Sequence, residues 1–461
     1  MTRPPVLRCH GCGAEIAGEP YPFRCPRADS GDDADHVLEP IIEPGEGPFA
    51  DATANQPFVR YRGSLYSCAL ARSRGMSDAD FVRLVLELDA AVAAVAGGGF
   101  RPTPFTPAPT LAARLGGGEI WVKDETGNVA GSHKARHLFG IVLALEVAER
   151  TGLTSRAETD RRGLAIASCG NAALAAAVIA RATRRPLQAF IPRDANPRVV
   201  AELDRLGVAV AVCRRGAGEV GDPCLRAFRD AVRGGMLPFC CQGSENGLAI
   251  EGGMTLAWEM AEVLAAAGAR LDRWFVQVGG GTLASACVQA LERARACGLL
   301  HELPRLHAVQ TAGGWPLRRA YERLRARALG APGDDDAIAA CSLRGPAAAA
   351  AVAEAFEFAR THRSCFMWPW ETAPRSIARG ILDDETYDWF RVVRGTVEHG
   401  GWPIVVSEAR LAEAQALAHD ALTARADPTG SAGIAGLIEL RSRGRPAPDE
   451  RVAVLLTGAA S

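Results

Sequence analysis

The sequence predicts an α/β protein in which parallel sheets are covered by helices on both faces. Between residues 118 and 310, short apolar runs alternate with helical segments rich in alanine, leucine and arginine. A buried apolar strand followed by a helix is the repeating unit of a parallel sheet. The chain of 461 residues is long enough for more than one lobe. The predicted strands cover 120–122, 164–167, 187–191, 208–212, 274–278 and 452–456.

Local signals outside this region predict further helices. A Ser-Asp-Ala-Asp motif before an apolar periodic run predicts a helix over 78–96 with a well-capped N-terminus. The segment 326–350 contains Gly-Asp-Asp-Asp and a run of alanines, which indicates a mixture of loop and helix.

Composition and charge argue against nucleic-acid and membrane partners. The formal net charge is −1, 48% of the residues are hydrophobic and 23% are charged. The N-terminus lacks the apolar stretch of a signal peptide, and we find no apolar span long enough to cross a bilayer. We therefore expect a cytoplasmic protein whose 13 cysteines are reduced.

Lysine is almost absent from this chain. Of its 52 basic residues only Lys123 and Lys134 are lysines, so arginine fills nearly every position where a positive charge suffices. Because a guanidinium stays protonated and cannot form an imine, the two lysines are the candidates for amine chemistry. Lys134 follows Gly-Ser-His at the predicted start of a helix, where the positive end of the helix dipole favours the free amine. Lys123 stands beside two acids, which predicts a structural ion pair.

Three other motifs lie where predicted strands end. The sequence Ser-Cys-Gly-Asn at 168–171 joins a strand to an alanine-rich helix, and its backbone N–H groups could bind a carboxylate. The sequence Gly-Gly-Gly-Thr at 279–282 is a similar turn, in which glycine lets backbone amides approach a phosphate. Thr457 follows the last strand and points a hydroxyl into the crevice where α/β proteins bind ligands. Helix capping and ordinary tight turns are the alternatives that involve no ligand.

Taken in order, these motifs resemble those of fold-type II pyridoxal-phosphate (PLP) enzymes, the superfamily of threonine synthase, threonine dehydratase and the tryptophan synthase β subunit. The resemblance covers about residues 100–461 and rests on Gly-Ser-His-Lys, Ser-x-Gly-Asn, Gly-Gly-Gly-Thr and a terminal Thr-Gly. It implies two doubly wound parallel-sheet lobes. A large PLP-binding α/β domain would span 51–160 and 246–461, and a small α/β domain with the substrate carboxylate loop would span 161–245.

The resemblance also implies a role for each motif. Lys134 would be the catalytic residue and hold pyridoxal 5′-phosphate as a Schiff base, Asn171 would bond the phenolic oxygen, and Thr457 would face the pyridine nitrogen. The cofactor phosphate would be held by Gly279, Gly280, Gly281 and Thr282. The substrate carboxylate would be held by Ser168, Cys169, Gly170 and Asn171.

The match to any one member of the family is incomplete. Where threonine synthases read Asn-Pro-Thr-Gly-Ser-Phe-Lys-Asp, residues 128–135 read Asn-Val-Ala-Gly-Ser-His-Lys-Ala. The motif Ser-His-Lys is similar to the one around the Schiff-base lysine of the tryptophan synthase β subunit. However, we do not find that subunit's acidic loop ahead of the carboxylate site. We therefore do not expect an enzyme that uses indole, and these motifs do not assign the chain to the housekeeping threonine synthases.

The N-terminal residues 1–50 form a separate Cys-rich module. A Cys-x₂-Cys pair, a third cysteine and a histidine could supply four tetrahedral zinc ligands. The candidate ligands are Cys9, Cys12, Cys25 and His36. Threonine-synthase-like enzymes often begin with a zinc-ribbon-like module that contains two Cys pairs. Here the second pair is incomplete, and His36 takes the place of its missing cysteine. The alternatives are a structural zinc site and a loop with unbound thiols.

The sequence thus favours a PLP-dependent lyase that acts on an α-amino acid with a β- or γ-leaving group, by threonine-synthase-like elimination or replacement. The alternatives are a serine/threonine dehydratase or ammonia-lyase, a β-replacement synthase similar to cysteate synthase, and a non-catalytic binding subunit. We expect a homodimer with an amino acid as its small-molecule partner. A phosphorylated substrate would require extra donors, for which Arg60, Arg62, Arg136 and Arg375 are available.

Overall fold

The computed structural model describes residues 3–41, 53–216, 221–330, 336–422, 424–445, 447 and 449–459. The strands in these ranges are β1 (Val6–Cys9), β2 (Glu15–Ala17), β3 (Leu38–Ile41), β4 (Phe105–Pro107), β5 (Glu119–Asp124), β6 (Leu164–Ala167), β7 (Leu187–Pro192), β8 (Ala209–Cys213), β9 (Leu237–Pro238), β10 (Arg273–Gln277), β11 (Arg305–Thr311), β12 (Ile404–Val406) and β13 (Arg451–Leu456).

These strands form three sheets. The largest has the order β12-β11-β10-β13-β5-β4, and all its strands are parallel except β4, which runs antiparallel to β5. The second sheet, with the order β8-β7-β6-β9, is parallel throughout. The third is antiparallel, has the order β2-β1-β3, and belongs to the N-terminal module. The predicted α/β class with two parallel sheets is confirmed.

Helices cover the two parallel sheets. The α-helices are Pro57–Arg60, Tyr66–Ser73, Asp78–Ala96, Pro109–Arg114, Lys134–Arg150, Arg156–Arg162, Asn171–Ala182, Pro197–Arg205, Pro223–Arg233, Leu248–Ala266, Thr282–Ala296, Pro316–Leu329, Asp336–Arg344, Ala349–Thr361, Trp389–His399, Glu408–Leu422 and Ala432–Ser442. Short 3₁₀ helices lie at Arg62–Ser64, Val129–Gly131, Pro346–Ala348, Arg363–Cys365 and Arg379–Ile381. Among the described residues, no helix is both long and apolar enough to cross a membrane.

The predicted domains can be compared with the sheets. All four strands of the second sheet lie between residues 164 and 238, inside the small domain expected at 161–245, while β4, β5 and β10–β13 form the largest sheet. The boundaries themselves stay a prediction. Residues 42–50 of the predicted N-terminal module and residues 331–335 of the predicted loop-and-helix segment lie outside the described residues.

A pair of glycines lets two helices of the large lobe pack closely. The Lys134–Arg150 helix crosses the Leu248–Ala266 helix at Gly252, where a Cβ would overlap the carbonyl of Arg136. A Cβ on Gly253 would overlap the ring of His137 in the same way. These glycines therefore set the short distance between the first turn of the Lys134–Arg150 helix and the Leu248–Ala266 helix.

Candidate active site

The loop before Lys134 is bound to the end of β13. Ser132 and Gly458 form an isolated antiparallel bridge. The backbone N–H of His133 donates to the Thr457 carbonyl at 3.1 Å, and its Nδ1 lies 2.9 Å from the same oxygen. Lys134, which is half-buried, is the first residue of its helix. The hydrogen bonds thus place the start of that helix beside Thr457.

The protonation state of His133 follows from its contacts. Because a carbonyl oxygen only accepts, the ring must carry its proton on Nδ1 to bond Thr457. Burial lowers the pKa of His133 well below its ordinary value, and the charge of Lys134 adds to this effect. His133 is therefore a neutral side chain that fixes the loop on which Lys134 is carried.

Asn171 reaches the same point from the second sheet. It begins the Asn171–Ala182 helix, and its Nδ2 lies 2.5 Å from where a Cβ of residue 458 would stand. Any side chain larger than glycine at position 458 would therefore displace Asn171. The structure thus brings Asn171, the loop before Lys134 and the end of β13 together around Gly458.

The hydroxyl of Thr457 has its acceptor capacity used by Gln277. The Nε2 of Gln277 donates to the Thr457 Oγ1 at 2.7 Å and also lies 2.7 Å from the carbonyl of Gly430. Since the carbonyl can only accept, the amide must point its NH₂ group in this direction. Thr457 is 2% exposed, and its own proton remains available for an acceptor such as a ring nitrogen.

The loop at 168–170 presents an uncapped helix start. Gly170 is the N-cap residue of the Asn171–Ala182 helix, and no side-chain cap bonds the first-turn amides. Ser168 Oγ accepts only a long bond, 3.4 Å, from the Gly170 N–H. Burial raises the pKa of Cys169, so its thiol is neutral and adds no negative charge. This geometry suits an anion such as a carboxylate.

The Gly279–Thr282 loop is held from behind by a segment that the sequence did not indicate. Thr386 Oγ1 donates to the Gly279 carbonyl at 2.9 Å, and the Asp388 N–H donates to the Gly280 carbonyl at 3.0 Å. In a trans peptide the C=O and the next N–H point in opposite directions. The amides of Gly280 and Gly281 therefore point away from the Thr386–Asp388 segment.

A carboxyl group of the protein itself lies at these amides. Burial raises the pKa of Asp383 to about 6, the Gly280 N–H acts to lower it, and a Cβ on Gly279 would overlap the carboxyl. Gly281 has φ +94°, which favours glycine, and begins the Thr282–Ala296 helix without a side-chain cap. An uncapped helix start of this kind suits an anion.

A buried network of four charges lies beneath the start of the Lys134–Arg150 helix. Arg136 bonds Glu125 at 2.8 Å and Glu259 at 2.7 Å. Lys123 bonds Glu259 at 2.5 Å, so its predicted ion pair is present. All four side chains are at most 3% exposed. The two cations balance the two anions, and Lys123 is thereby engaged in structure.

Three of the four arginines considered as phosphate donors are paired with carboxylates. Arg60 bonds Glu262 at 2.8 Å, and Arg62 bonds Asp78 at 2.8 Å. Arg136 is fully buried in the charge network. These three guanidiniums are therefore occupied by structural partners. The fourth, Arg375, packs against Gly313, where a Cβ would overlap the Arg375 carbonyl.

The N-terminal module gathers its candidate metal ligands. The ligand atoms of Cys9, Cys12, Cys25 and His36 all lie within 4.8 Å of one another. Cys9 Sγ lies 3.6 Å from His36 Nδ1, and Cys12 Sγ lies 3.5 Å from Cys25 Sγ. Tetrahedral zinc with bonds of about 2.0–2.3 Å separates its ligands by roughly these distances. The Nε2 of His36 lies 2.8 Å from Asp32, as expected of a histidine that is oriented for a metal.

Metal analysis of the purified protein tests whether this module binds zinc. Protein prepared without chelators should contain about one zinc per chain, the stoichiometry of one four-ligand site. Replacing Cys9 and Cys12 together by serine should abolish that zinc and lower the melting midpoint by roughly 5–10 °C. The same double replacement at the exposed Cys341 and Cys365 is the control and should change neither. Metal-free wild-type protein would rule out the site.

A lysine, two uncapped helix starts and a hydroxyl lie at the carboxyl ends of parallel strands, where α/β proteins bind ligands in a crevice. The chain belongs to the family described as "Pyridoxal-phosphate dependent enzyme", whose model matches residues 97–458. The match includes every motif placed at this crevice, from Lys134 to Thr457.

Curated relatives are similar over part of their length. The tryptophan synthase beta chain of Afipia carboxidovorans is 26% identical over 230 residues, which are 47% of this chain and 55% of that protein. That of Streptomyces coelicolor is 28% identical over 165 residues, 36% of this chain and 35% of that protein. The chain thus spans about half, or less, of the relatives it matches.

Solved structures share the fold over most of the chain. Maize serine racemase has a TM-score of 0.54 at 18% identity and covers 81% of this chain and 93% of its own. Threonine deaminase isoform 2 of Solanum lycopersicum has 0.56 at 16%, covering 84% and 92%. Diaminopropionate ammonia lyase of Escherichia coli has 0.56 at 15%, covering 82% and 88%. At these identities the likeness shows the fold alone.

Proposed function

We propose that the protein is a PLP-dependent lyase that acts on an α-amino acid with a leaving group at its β or γ carbon. The observation that carries this proposal is the meeting of three elements at Gly458: the loop before Lys134, the side chain of Asn171 and the end of β13 with Thr457. Together they supply an amine, an amide and a neutral hydroxyl within one crevice, the set that a pyridoxal ring and an amino acid require.

The residues that would hold the cofactor follow from this arrangement. Lys134 would bind its aldehyde carbon covalently, and Asn171 would bond its phenolic oxygen. The outward amides of the Gly279–Thr282 loop would bind its phosphate in place of Asp383. Thr457, whose lone pair is used by Gln277, would donate to the ring nitrogen.

When bound, PLP would supply an electron sink for the α-carbon of the substrate. Lys134 is the residue that would hold the cofactor and, as a free amine, would take the α-proton. The uncapped amides at 168–171 would hold the substrate carboxylate and orient the α-proton toward Lys134. A neutral Thr457 does not protonate the ring nitrogen, which favours loss of a leaving group over transamination.

The pairing of Arg60, Arg62 and Arg136 bears on the leaving group. With these three guanidiniums bonded to carboxylates, a serine-like or threonine-like substrate is better supported than one that carries a phosphate. We further propose a structural zinc at Cys9, Cys12, Cys25 and His36, a homodimer, a cytoplasmic location, and the domain boundaries given above.

The test is a substrate screen of the PLP-loaded enzyme. Serine, threonine, their O-phospho forms and phosphohomoserine are added singly while the absorbance of the bound cofactor is followed. We expect a spectral change with serine or threonine and release of a keto acid without an added nucleophile. Product that forms only with a second substrate would identify a replacement enzyme instead. If no amino acid changes the spectrum, the lyase proposal is wrong and a non-catalytic subunit is favoured.

A further inference from the structure

The hydroxyl of Thr282, the first residue of the Thr282–Ala296 helix, faces two acceptors but carries a single proton. Thr282 Oγ1 lies 2.5 Å from the carbonyl of Cys241 and 2.6 Å from Oδ2 of Asp388. The carbonyl can only accept, so Thr282 must give its proton to Cys241. The contact with Asp388 is then a hydrogen bond only if Asp388 carries the proton and donates it. A carboxylate there would face a lone pair of the hydroxyl.

The surroundings of Asp388 agree with a neutral acid. It is 1% exposed, Oδ2 accepts from the Gly243 N–H at 3.2 Å, and Oδ1 has no partner among the described residues. Burial raises the pKa of Asp388 to about 7. Among the described residues no cation contacts the carboxyl directly, so the loss of its proton would leave a buried charge uncompensated.

Of the other ionisable groups, Asp383 at the Gly280 amide also titrates in the pH range of the test, since burial raises its pKa to about 6. The groups around Asp388 itself leave this picture unchanged. From the N-terminal module, His10 and Asp35 face it as a bonded pair, with 2.8 Å between Nε2 and Oδ2. From the segment after β9, Cys240 and Cys241 face it, and burial raises the pKa of both thiols. The first turn of the Thr282–Ala296 helix carries no titratable side chain.

Asp388 also lies directly behind the loop that would hold the cofactor phosphate. Its N–H donates to the Gly280 carbonyl, and its Cβ lies 3.3 Å from where a Cβ of Gly281 would stand. A negative charge at this position would cancel part of the positive potential at the helix N-terminus. It would also repel a phosphate on the far side of the loop.

We propose that Asp388 is a positioning residue that works as a neutral carboxylic acid: its proton bonds Thr282 and holds the Gly279–Thr282 loop ready for phosphate, and its ionisation weakens phosphate binding. This inference rests on the proposed assignment of that loop to the cofactor phosphate. Asp388 touches neither the cofactor nor the substrate in this scheme and acts through Thr282 and the loop.

The experiment uses pyridoxine 5′-phosphate, which has no aldehyde and so cannot form an imine with Lys134. Its affinity for the full-length apoprotein is measured by tryptophan fluorescence from pH about 5.5 to about 8.5. Wild-type affinity should fall about tenfold as the pH rises through the pKa of Asp388. Unphosphorylated pyridoxine is the control and should show no such fall. The second ionisation of the ligand's own phosphate near pH 6 strengthens binding and cannot mimic the effect.

Asp388→Asn separates the proton from a general structural role. The amide can donate to Thr282 Oγ1 as the acid does, but it cannot ionise, and its nitrogen cannot accept the bond from the Gly243 N–H. This variant should keep most of the wild-type affinity at low pH and lose the fall at high pH. Asp388→Ala, which donates nothing, should bind weakly at every pH.

Two outcomes would overturn the inference: an Asn variant that keeps the wild-type pH dependence, or equal pH dependence for pyridoxine with and without its phosphate. The second comparison needs no Asp388 variant, and repeating it in Asp383→Asn removes the other acid at the loop, so it stands even if an Asp388 variant does not fold. Wild-type protein that binds no phosphorylated ligand at any pH would instead refute the assignment of the loop itself, and with it the inference.

Discussion

Lys134→Arg should fold as the wild type does and lose at least about 10³-fold in turnover, because the variant keeps the positive charge but cannot form an imine or take a proton near neutral pH. Borohydride reduction of the PLP-loaded wild type followed by peptide mapping should place the cofactor on Lys134. The arginine variant should carry no such label, although it should still bind PLP reversibly through the Gly279–Thr282 loop.

The scarcity of lysine makes this experiment unusually clean. Lys123 is the only other lysine in the chain, and it is buried against Glu259 and the Thr103 carbonyl. Desolvation by burial lowers the pKa of Lys123, and the charges of Glu259 and Glu125 partly oppose that shift. Label on Lys123, or the absence of label in loaded wild-type protein, would contradict the assignment of Lys134.

Features that depend on contiguous residues were predictable. The strand at 164–167 and the helix at 78–96 lie where apolar periodicity and capping placed them, and Ser77 caps that helix by accepting from the Asp80 N–H. The four crevice motifs are likewise local strand-to-helix or strand-to-loop turns. Their order along the chain was enough to indicate the family.

The supports of those motifs were not predictable because they lie far away in sequence. Thr386 and Asp388 bond the loop at 279–282 from more than a hundred residues away. The run Asp-Asp-Glu-Thr-Tyr-Asp at 383–388 resembles a solvated loop in composition, yet Asp388 is almost fully buried. Burial of so many acids beside a triple glycine is a signal that only the tertiary structure supplies.

The glycines at 279–281 show how one pattern can have two causes. The sequence explained them by close approach of a phosphate. In the structure, a Cβ on Gly279 would overlap Asp383, and a Cβ on Gly280 would lie 2.9 Å from the ring of Tyr387. Glycine is therefore required here by the chain's own packing as well as by any ligand.

Lys123 illustrates a correct pattern with a different partner. The sequence predicted a structural ion pair for Lys123, which stands beside two acids. Successive residues of a strand point to opposite faces, so Asp124 cannot share the environment of Lys123. Glu125 bonds Arg136 instead, and the partner of Lys123 is Glu259 on the Leu248–Ala266 helix.

Arg136→Met is expected to destabilise the fold strongly. Removing the guanidinium leaves Glu125 and Glu259 buried with only Lys123 to balance them. Breaking a buried ion pair by removing one partner costs about 3–5 kcal/mol. The measurement is the urea concentration at half-unfolding. Arg394→Met is the matched control, since Arg394 pairs with Glu398 at an exposed site where the cost is about 0.5 kcal/mol or less.

The pH dependence gives this prediction a second test. Burial alone would raise the pKa of Glu125, but the charges of Arg136 and Lys123 outweigh it and lower that pKa to about 2. A carboxyl with a lowered folded-state pKa stabilises the fold above its unfolded pKa of about 4.3 and loses that contribution as the pH falls toward 2. The stability gap between wild type and Arg136→Met should therefore shrink as the pH falls toward 2, because the unfolded carboxyl is the same in both proteins and Glu125 without Arg136 takes up its proton at a higher pH. Since Arg136 lies two residues after Lys134, the variant should also slow borohydride labelling of Lys134. A stability difference between wild type and Arg136→Met that is small at neutral pH, or unchanged in acid, would show that the buried charge network does not support the start of the Lys134–Arg150 helix.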